Sequence, residues 1–179
     1  MSTTWYLGDS HFSHRNIIKF ADADGNRHRP WDTIEEHDQA IVDAINEHVG
    51  EHDKLIHMGD VAMNPRGLNL MHAIKCQNRV LIPGNHDMEH ISKYTELFKD
   101  IKGCKVLRGA GMIVSHYPVH PSQLDSRYRF NIHAHTHANL VLDKFGQPDP
   151  RYICLSLEQT NFRPVSFDEI VKIAESRNI

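Results

Sequence analysis

Two periods run through the chain. Along "TIEEHDQAIVDAINEHV" (33–49), Ile34, Ile41, Ala44, Ile45 and Val49 return near one face of a 3.6-residue repeat, and Thr33 with Glu36 makes a capping box. That spacing predicts a helix. Elsewhere short apolar runs are bounded by Gly, Pro or polar groups, as strands are. They are "TWYLG" (4–8), "KLIHMG" (54–59), "RVLIPG" (79–84), "RFNIHAHTH" (129–137) and "RYICLSLE" (151–158). Residues 105–118 predict a hairpin with Gly109 or Gly111 at its turn, and 67–76 and 88–99 predict helices. A last helix follows Ser166, where Glu169 completes a second capping pair. Strands alternate with helices in the first half, and the second half is mostly strands. That order predicts an α/β fold: parallel βαβ units joined to a β-rich half, as one sheet or two packed sheets with helices outside.

Ligands of open α/β sheets bind beyond the carboxyl ends of strands, and the strand ends here share a peculiarity. The first runs into Asp9-Ser10-His11, the second into Gly59-Asp60, the third into Gly84-Asn85-His86-Asp87. The hairpin ends in Ser115-His116 before Pro118, and the next strand in His133-Ala134-His135-Thr136-His137. Alternation puts Asp9 and His11 on one side of an extended chain, roughly 6–7 Å apart at the backbone. Alone, Asn85-His86-Asp87 is a turn with an Asx hydrogen bond. Five strand ends that each deliver oxygen or imidazole donors describe one shared polar site. The donors are carboxylates, an amide and imidazoles, with no thiolate, which suits Mn²⁺, Fe²⁺ or Zn²⁺ and not a structural cysteine-type zinc. They outnumber the needs of one ion. Two ions about 3.5–4 Å apart, sharing one carboxylate, would use them all, and such a pair serves phosphate-ester hydrolysis.

The ordered set Asp9-x-His11, Gly59-Asp60, Gly84-Asn85-His86-Asp87, His116 and Ala134-His135-Thr136-His137 resembles the calcineurin-like metallophosphoesterases. "DSHFSHRNIIKF" and "SHYP" resemble a short bacterial and phage subgroup of them. The resemblance implies an αββα sandwich, two mixed β-sheets flanked by helices, as a single domain over 1–179 with no cap insertion and an open site. It implies two divalent ions, Mn²⁺ foremost, with Fe, Zn or Ni as alternatives. The first would take Asp9, His11 and His137, the second Asn85, His116 and His135, and Asp60 would bridge them with a hydroxide that attacks phosphorus in line. His86 would give a proton to the leaving oxygen or stabilise the phosphorane-like charge, and Asp87 would orient His86 by accepting its other N–H. One position departs from the pattern. The family carries Gly where this chain has Ala134, so a positive φ there would strain the backbone.

Composition narrows the function. Apolar residues make up 40% and charged residues 24%, ordinary for a globular chain, and no stretch approaches the ~20 apolar residues of a membrane span. The N-terminus lacks a signal-peptide pattern, and Cys76, Cys104 and Cys154 fit reduced thiols in a cytoplasm. A net charge of -3 and no long basic stripe favour a small phosphate ester, monoester or diester, over DNA or RNA as substrate. A third reading, a scaffold that has lost catalysis, fits poorly with a complete ligand set. Of the 15 histidines, His14 is a candidate substrate contact, with Arg127 and Arg129 as phosphate clamps by fork geometry. His57 is expected behind the site, and His133 is expected to support the ligands without joining them. "ADADGNRHRP" (21–30), with Arg27, His28 and Arg29, reads as a solvated surface loop. Its D-x-D-G order is no EF-hand, because Gly comes too early.

Overall fold

A computed structural model describes residues 2–177. In chain order its strands are β1 (Thr4–Leu7), β2 (Lys54–His57), β3 (Arg79–Leu81), β4 (Asp100–Ile101), β5 (Lys105–Leu107), β6 (Met112–Val114), β7 (Phe130–His133), β8 (Tyr152–Cys154) and β9 (Val165–Ser166). Its α-helices are α1 (Ile34–His48), α2 (Pro65–Leu68), α3 (Ile91–Leu97) and α4 (Phe167–Ser176). The fold is mixed α/β, with two mixed sheets flanked by helices. One sheet has the order β4-β3-β2-β1-β9, parallel except for β9. The other has the order β5-β6-β7-β8, in which the β5–β6 hairpin is antiparallel and the rest parallel.

The pleat divides the core. Tyr6, Ile56 and Val80 point from the first sheet toward Met112, Val114, Phe130, Ile132 and Ile153 of the second. Their neighbours Leu7, Leu55 and Leu81 point the other way, onto Ile41, Val42 and Ile45 of α1. The capping box of α1 is present, Glu36 N–H donating to Thr33 Oγ1 at 3.2 Å and Thr33 N–H to Glu36 Oε2 at 3.1 Å. α4 packs Ile170 and Ala174 into the inter-sheet core. The outer face of the second sheet is covered by chain: Asn131 accepts from Val119 N–H, and Tyr152 O–H donates to the Val119 carbonyl.

Several boundaries differ from expectation. The 67–76 helix is one α-helical turn from Pro65, capped by Asn64, then a 3₁₀ stretch to Ala73. Gly67 lies against the Phe12 carbonyl there, where a Cβ would not fit. β4 and β9, two residues each, are too short to leave a period in the sequence. The hairpin turns at Gly111, whose φ is 63°. The strand expected over 151–158 stops at Cys154; Ser156 bridges to Gly8, and a 3₁₀ turn carries Leu157–Gln159. No described helix is long and apolar enough to cross a membrane. β1, β2, β3, β6 and β7 bring their carboxyl ends to one rim.

Candidate metal centre

Each strand reaches the rim and leaves it abruptly. Asp9, His11, Asp60, His135 and His137 all have left-handed backbones, with φ of 59°, 48°, 54°, 70° and 51°. Residues other than Gly adopt that region at a cost, and such strain concentrates where function requires it. Gly59, at φ 95°, and Gly84 keep the walls close: a Cβ on Gly59 would meet the Gly84 backbone and His116, and one on Gly84 would meet Asp60 and His116.

The result is two triads, Asp9/His11/His137 and Asp60/His116/His135, in each of which the ligand atoms lie within 4.8 Å of one another. Asp60 joins them. Its Oδ2 stands 3.5 Å from His11 Nε2 and 3.6 Å from His116 Nε2, one carboxylate oxygen between a member of each set. Its Oδ1 accepts the His86 N–H at 2.8 Å. Asn85 Oδ1 lies 3.2 Å from His116 Nε2 and extends the second triad to four donors.

Neighbours set the ring tautomers. His116 Nδ1 donates to the Met58 carbonyl at 2.7 Å, and His137 Nδ1 meets Glu158 Oε1 at 3.0 Å, so both rings turn Nε2 inward. Behind them His57 accepts the Gly59 N–H on Nδ1 at 3.2 Å, so Nε2–H donates to Ser10 Oγ at 2.8 Å. Ser10 passes the chain to the Val61 carbonyl at 2.8 Å. Burial above all, then Arg29 and nearby imidazoles, drives His11 far below its ordinary value, so it is neutral. Burial pushes the Asp9 carboxyl up, although His137 pulls against it.

The residues fit divalent ions. Asp9 Oδ1 and both ring nitrogens of His11 are buried without a hydrogen-bond partner, a costly state for polar atoms unless something binds them. As oriented, Asn85 Oδ1 and His116 Nε2 face one another as two acceptors, which a cation would reconcile. The donor set is oxygen and imidazole nitrogen throughout.

Other expectations need correction. Asp87 does not orient His86: its Oδ2 accepts the Asp60 and Gly84 N–H groups, each at 2.8 Å, and its Oδ1 the Val61 N–H at 3.0 Å. It ties the loop after β3 to the loop after β2. Ala134 is not the left-handed residue; that conformation falls on His135, and the Ala134 methyl fills the space beside Gly8, where a second Cβ would collide with it. Arg127 and Arg129 precede β7, whose ligands follow its other end, so strand direction removes both from the rim; Arg129 lies over the Phe130 ring instead. His14 is close, its ring 5.7 Å from His11 and 6.0 Å from Phe20. His133 stands outside both triads and donates Nδ1–H to the Ala134 carbonyl at 2.8 Å. His86 reaches the centre, its ring 5.3 Å from that of His11.

Two residues were missed. Arg29 is fully buried, not solvated, and binds Glu158 at 2.8 Å. Glu158 follows the end of β8, so the strand-end rule applied there would have found it. Nothing in the sequence distinguishes Arg29 from its loop neighbours.

No protein-family model matches the chain. The uncharacterised protein MJ1445 of Methanocaldococcus jannaschii is 30% identical over 190 residues, covering 100% of this chain and 95% of that one. Gene 66 protein of Mycobacterium phage L5 is 25% identical over 177 residues, covering 80% and 82%. Among solved structures, AQ665 of Aquifex aeolicus, a protein of unknown function, shares the fold with TM-score 0.73 at 22% identity, covering 97% of this chain and 100% of that one. Vps29 of Entamoeba histolytica overlays with TM-score 0.43 at 15% identity, covering 85% and 72%, a likeness too loose to place the chain.

Proposed function

The chain belongs to one family with MJ1445 of Methanocaldococcus jannaschii, and from the geometry of this chain's own site we propose a dimetal phosphoesterase of the calcineurin-like type. It hydrolyses small phosphomonoesters or phosphodiesters. The observation that carries this reading is Asp60 Oδ2 standing between His11 and His116, a carboxylate placed to serve two triads at once.

Asp9, His11 and His137 would hold one ion and Asn85, His116 and His135 the other, and Asp60, beside both sets, could serve either. When bound, the ions supply Lewis acidity toward phosphate oxygens and lower the pKa of water. The protein's own part is orientation. Met58 and Glu158 fix the His116 and His137 rings, and Asp9 Oδ2 holds the His135 N–H at 2.9 Å. Asp87 anchors the loop that carries Asn85 and His86. His86 is no member of either triad, and its imidazole delivers a proton to the leaving oxygen. His14, its ring 5.7 Å from that of His11, would contact the ester. Three unpaired thiols accord with a cytoplasmic setting.

The test is a screen of Mn²⁺-loaded protein on aryl phosphate mono- and diesters, nucleotides and cyclic nucleotides. Release of p-nitrophenol should require Mn²⁺, vanish in His116→Ala and Asp60→Ala, and fall in kcat by about 10²–10⁴ in His86→Ala. Metal-loaded wild type that turns over none of these esters would sink the proposal.

A further inference from the structure

Behind the first triad runs a buried charged chain of which hydrolysis as described uses only the Glu158 end, at the His137 ring. Arg29 leaves an otherwise mostly exposed loop and is itself 0% exposed. Its Nη2 donates to the Asp9 carbonyl at 2.6 Å, Nη1 to the Ser10 carbonyl at 3.2 Å, and Nε to Glu158 Oε1 at 2.8 Å. Nη1 also meets His37 Nε2 at 2.7 Å; His37 Nδ1 then donates to Asp38 Oδ1 at 2.8 Å. Asp38 Oδ2 in turn accepts the Ser13 N–H at 3.0 Å. Glu158 completes the path on the far side, where its Oε1 takes His137 Nδ1.

Every end of this assembly lands on one half of the centre. Arg29 grips the backbone of the left-handed turn that begins at Asp9, Asp38 grips that turn beyond His11, and Glu158 sets the His137 ring. In the other triad, the side chain that sets the His116 ring is replaced by an uncharged backbone carbonyl, that of Met58. Arginine suits the task because its planar fork reaches two carbonyls and a carboxylate together, which the single ammonium of lysine does not. A buried guanidinium and a buried carboxylate are tolerated only as partners, so the assembly forms as a unit or fails as one.

We infer that Arg29 and Glu158 are positioning residues that set the geometry, and hence the occupancy, of the Asp9/His11/His137 half of the centre, while the Asp60/His116/His135 half binds without them. The inference rests on the dimetal reading. A carboxylate behind a ligating histidine fixes its tautomer and raises its basicity, and loss of such a partner costs roughly 10–100-fold in metal affinity.

Mn²⁺ titration calorimetry and electron paramagnetic resonance on the full chain test it. Wild type should bind two ions and give an exchange-coupled spectrum. Glu158→Gln and Arg29→Lys should weaken one ion by about 10–100-fold, leave the other unchanged, and at low Mn²⁺ show the six-line spectrum of an isolated ion. Adding His116→Ala to Glu158→Gln should then weaken both ions, whereas His116→Ala alone keeps the one at Asp9. If Arg29→Lys fails to fold, Glu158→Gln, nearly isosteric, carries the test. Variants that keep two ions within about twofold of wild-type affinity, or that weaken both equally, overturn the inference while the dimetal reading stands. A wild type that binds no second ion overturns both.

Discussion

Gly8 and Ala134 sit opposite one another where β1 and β7 reach the rim, and only one of them has room for a methyl group. Gly8→Ala should therefore destabilise the protein by about 1–3 kcal/mol through overpacking. The double change Gly8→Ala/Ala134→Gly should recover most of that loss in urea denaturation, since it moves the methyl across the same gap. Additive losses would mean that the two positions do not share the space. A second prediction concerns His57, buried and held down to about 3 by burial and then by His116. Its unfolded value is about 6.5. Between those values the unfolded chain binds a proton that the folded chain does not, so stability rises with pH through this window. The contribution is complete above about pH 6.5 and declines as pH falls toward 3, at up to ~1.4 kcal/mol per unit. In EDTA, urea midpoints measured from pH 7.5 to 5 should fall less steeply for His57→Gln than for wild type. Equal slopes would assign the acid loss to other groups.

At the scale of elements, the α4 N-terminus repeats the device of α1. Ser166 Oγ accepts the Glu169 N–H at 3.2 Å, and Glu169 Oε2 accepts the Ser166 N–H at 2.9 Å. Ser166→Ala should cost about 1 kcal/mol in denaturant stability and leave Mn²⁺ affinity unchanged, because α4 packs at the β9 edge and into the inter-sheet core, away from the rim. A shift in metal affinity would show that the edge and the rim are coupled. Both capping boxes were legible because a box is a four-residue pattern. The 3₁₀ turn at Leu157–Gln159 was not legible: "CLSLE" alternates like a strand, and only the bridge from Ser156 to Gly8 bends it to bring Glu158 under His137. The same limit explains Asp87. Its neighbour in sequence, His86, was the natural partner, yet besides the nearby Gly84 amide its oxygens take the amides of Asp60 and Val61, 27 and 26 residues away.

For the whole molecule, the centre is a set of largely buried carboxylates and imidazoles on strained backbone, so ions that bind only the folded chain should stabilise it. At a free concentration 100 times Kd, one ion contributes about 2.7 kcal/mol, and a chain of this size gains about 2–4 °C in Tm per kcal/mol. Mn²⁺ in place of EDTA should therefore raise Tm by roughly 5–10 °C for one ion, as read by calorimetry. A Tm indifferent to Mn²⁺ would count against the site as a metal centre.

The sequence by itself determined the α/β class, the two capping boxes, the hairpin and the list of donors, because periodicity, caps and strand-end chemistry are local patterns within a few residues of one another. Tertiary structure alone decided that Asp87 ties two loops, that Arg127 and Arg129 lie beyond the wrong end of β7, and that Arg29 is buried against Glu158. Those facts depend on strand direction and on contacts between residues as many as 129 positions apart, which no local pattern encodes.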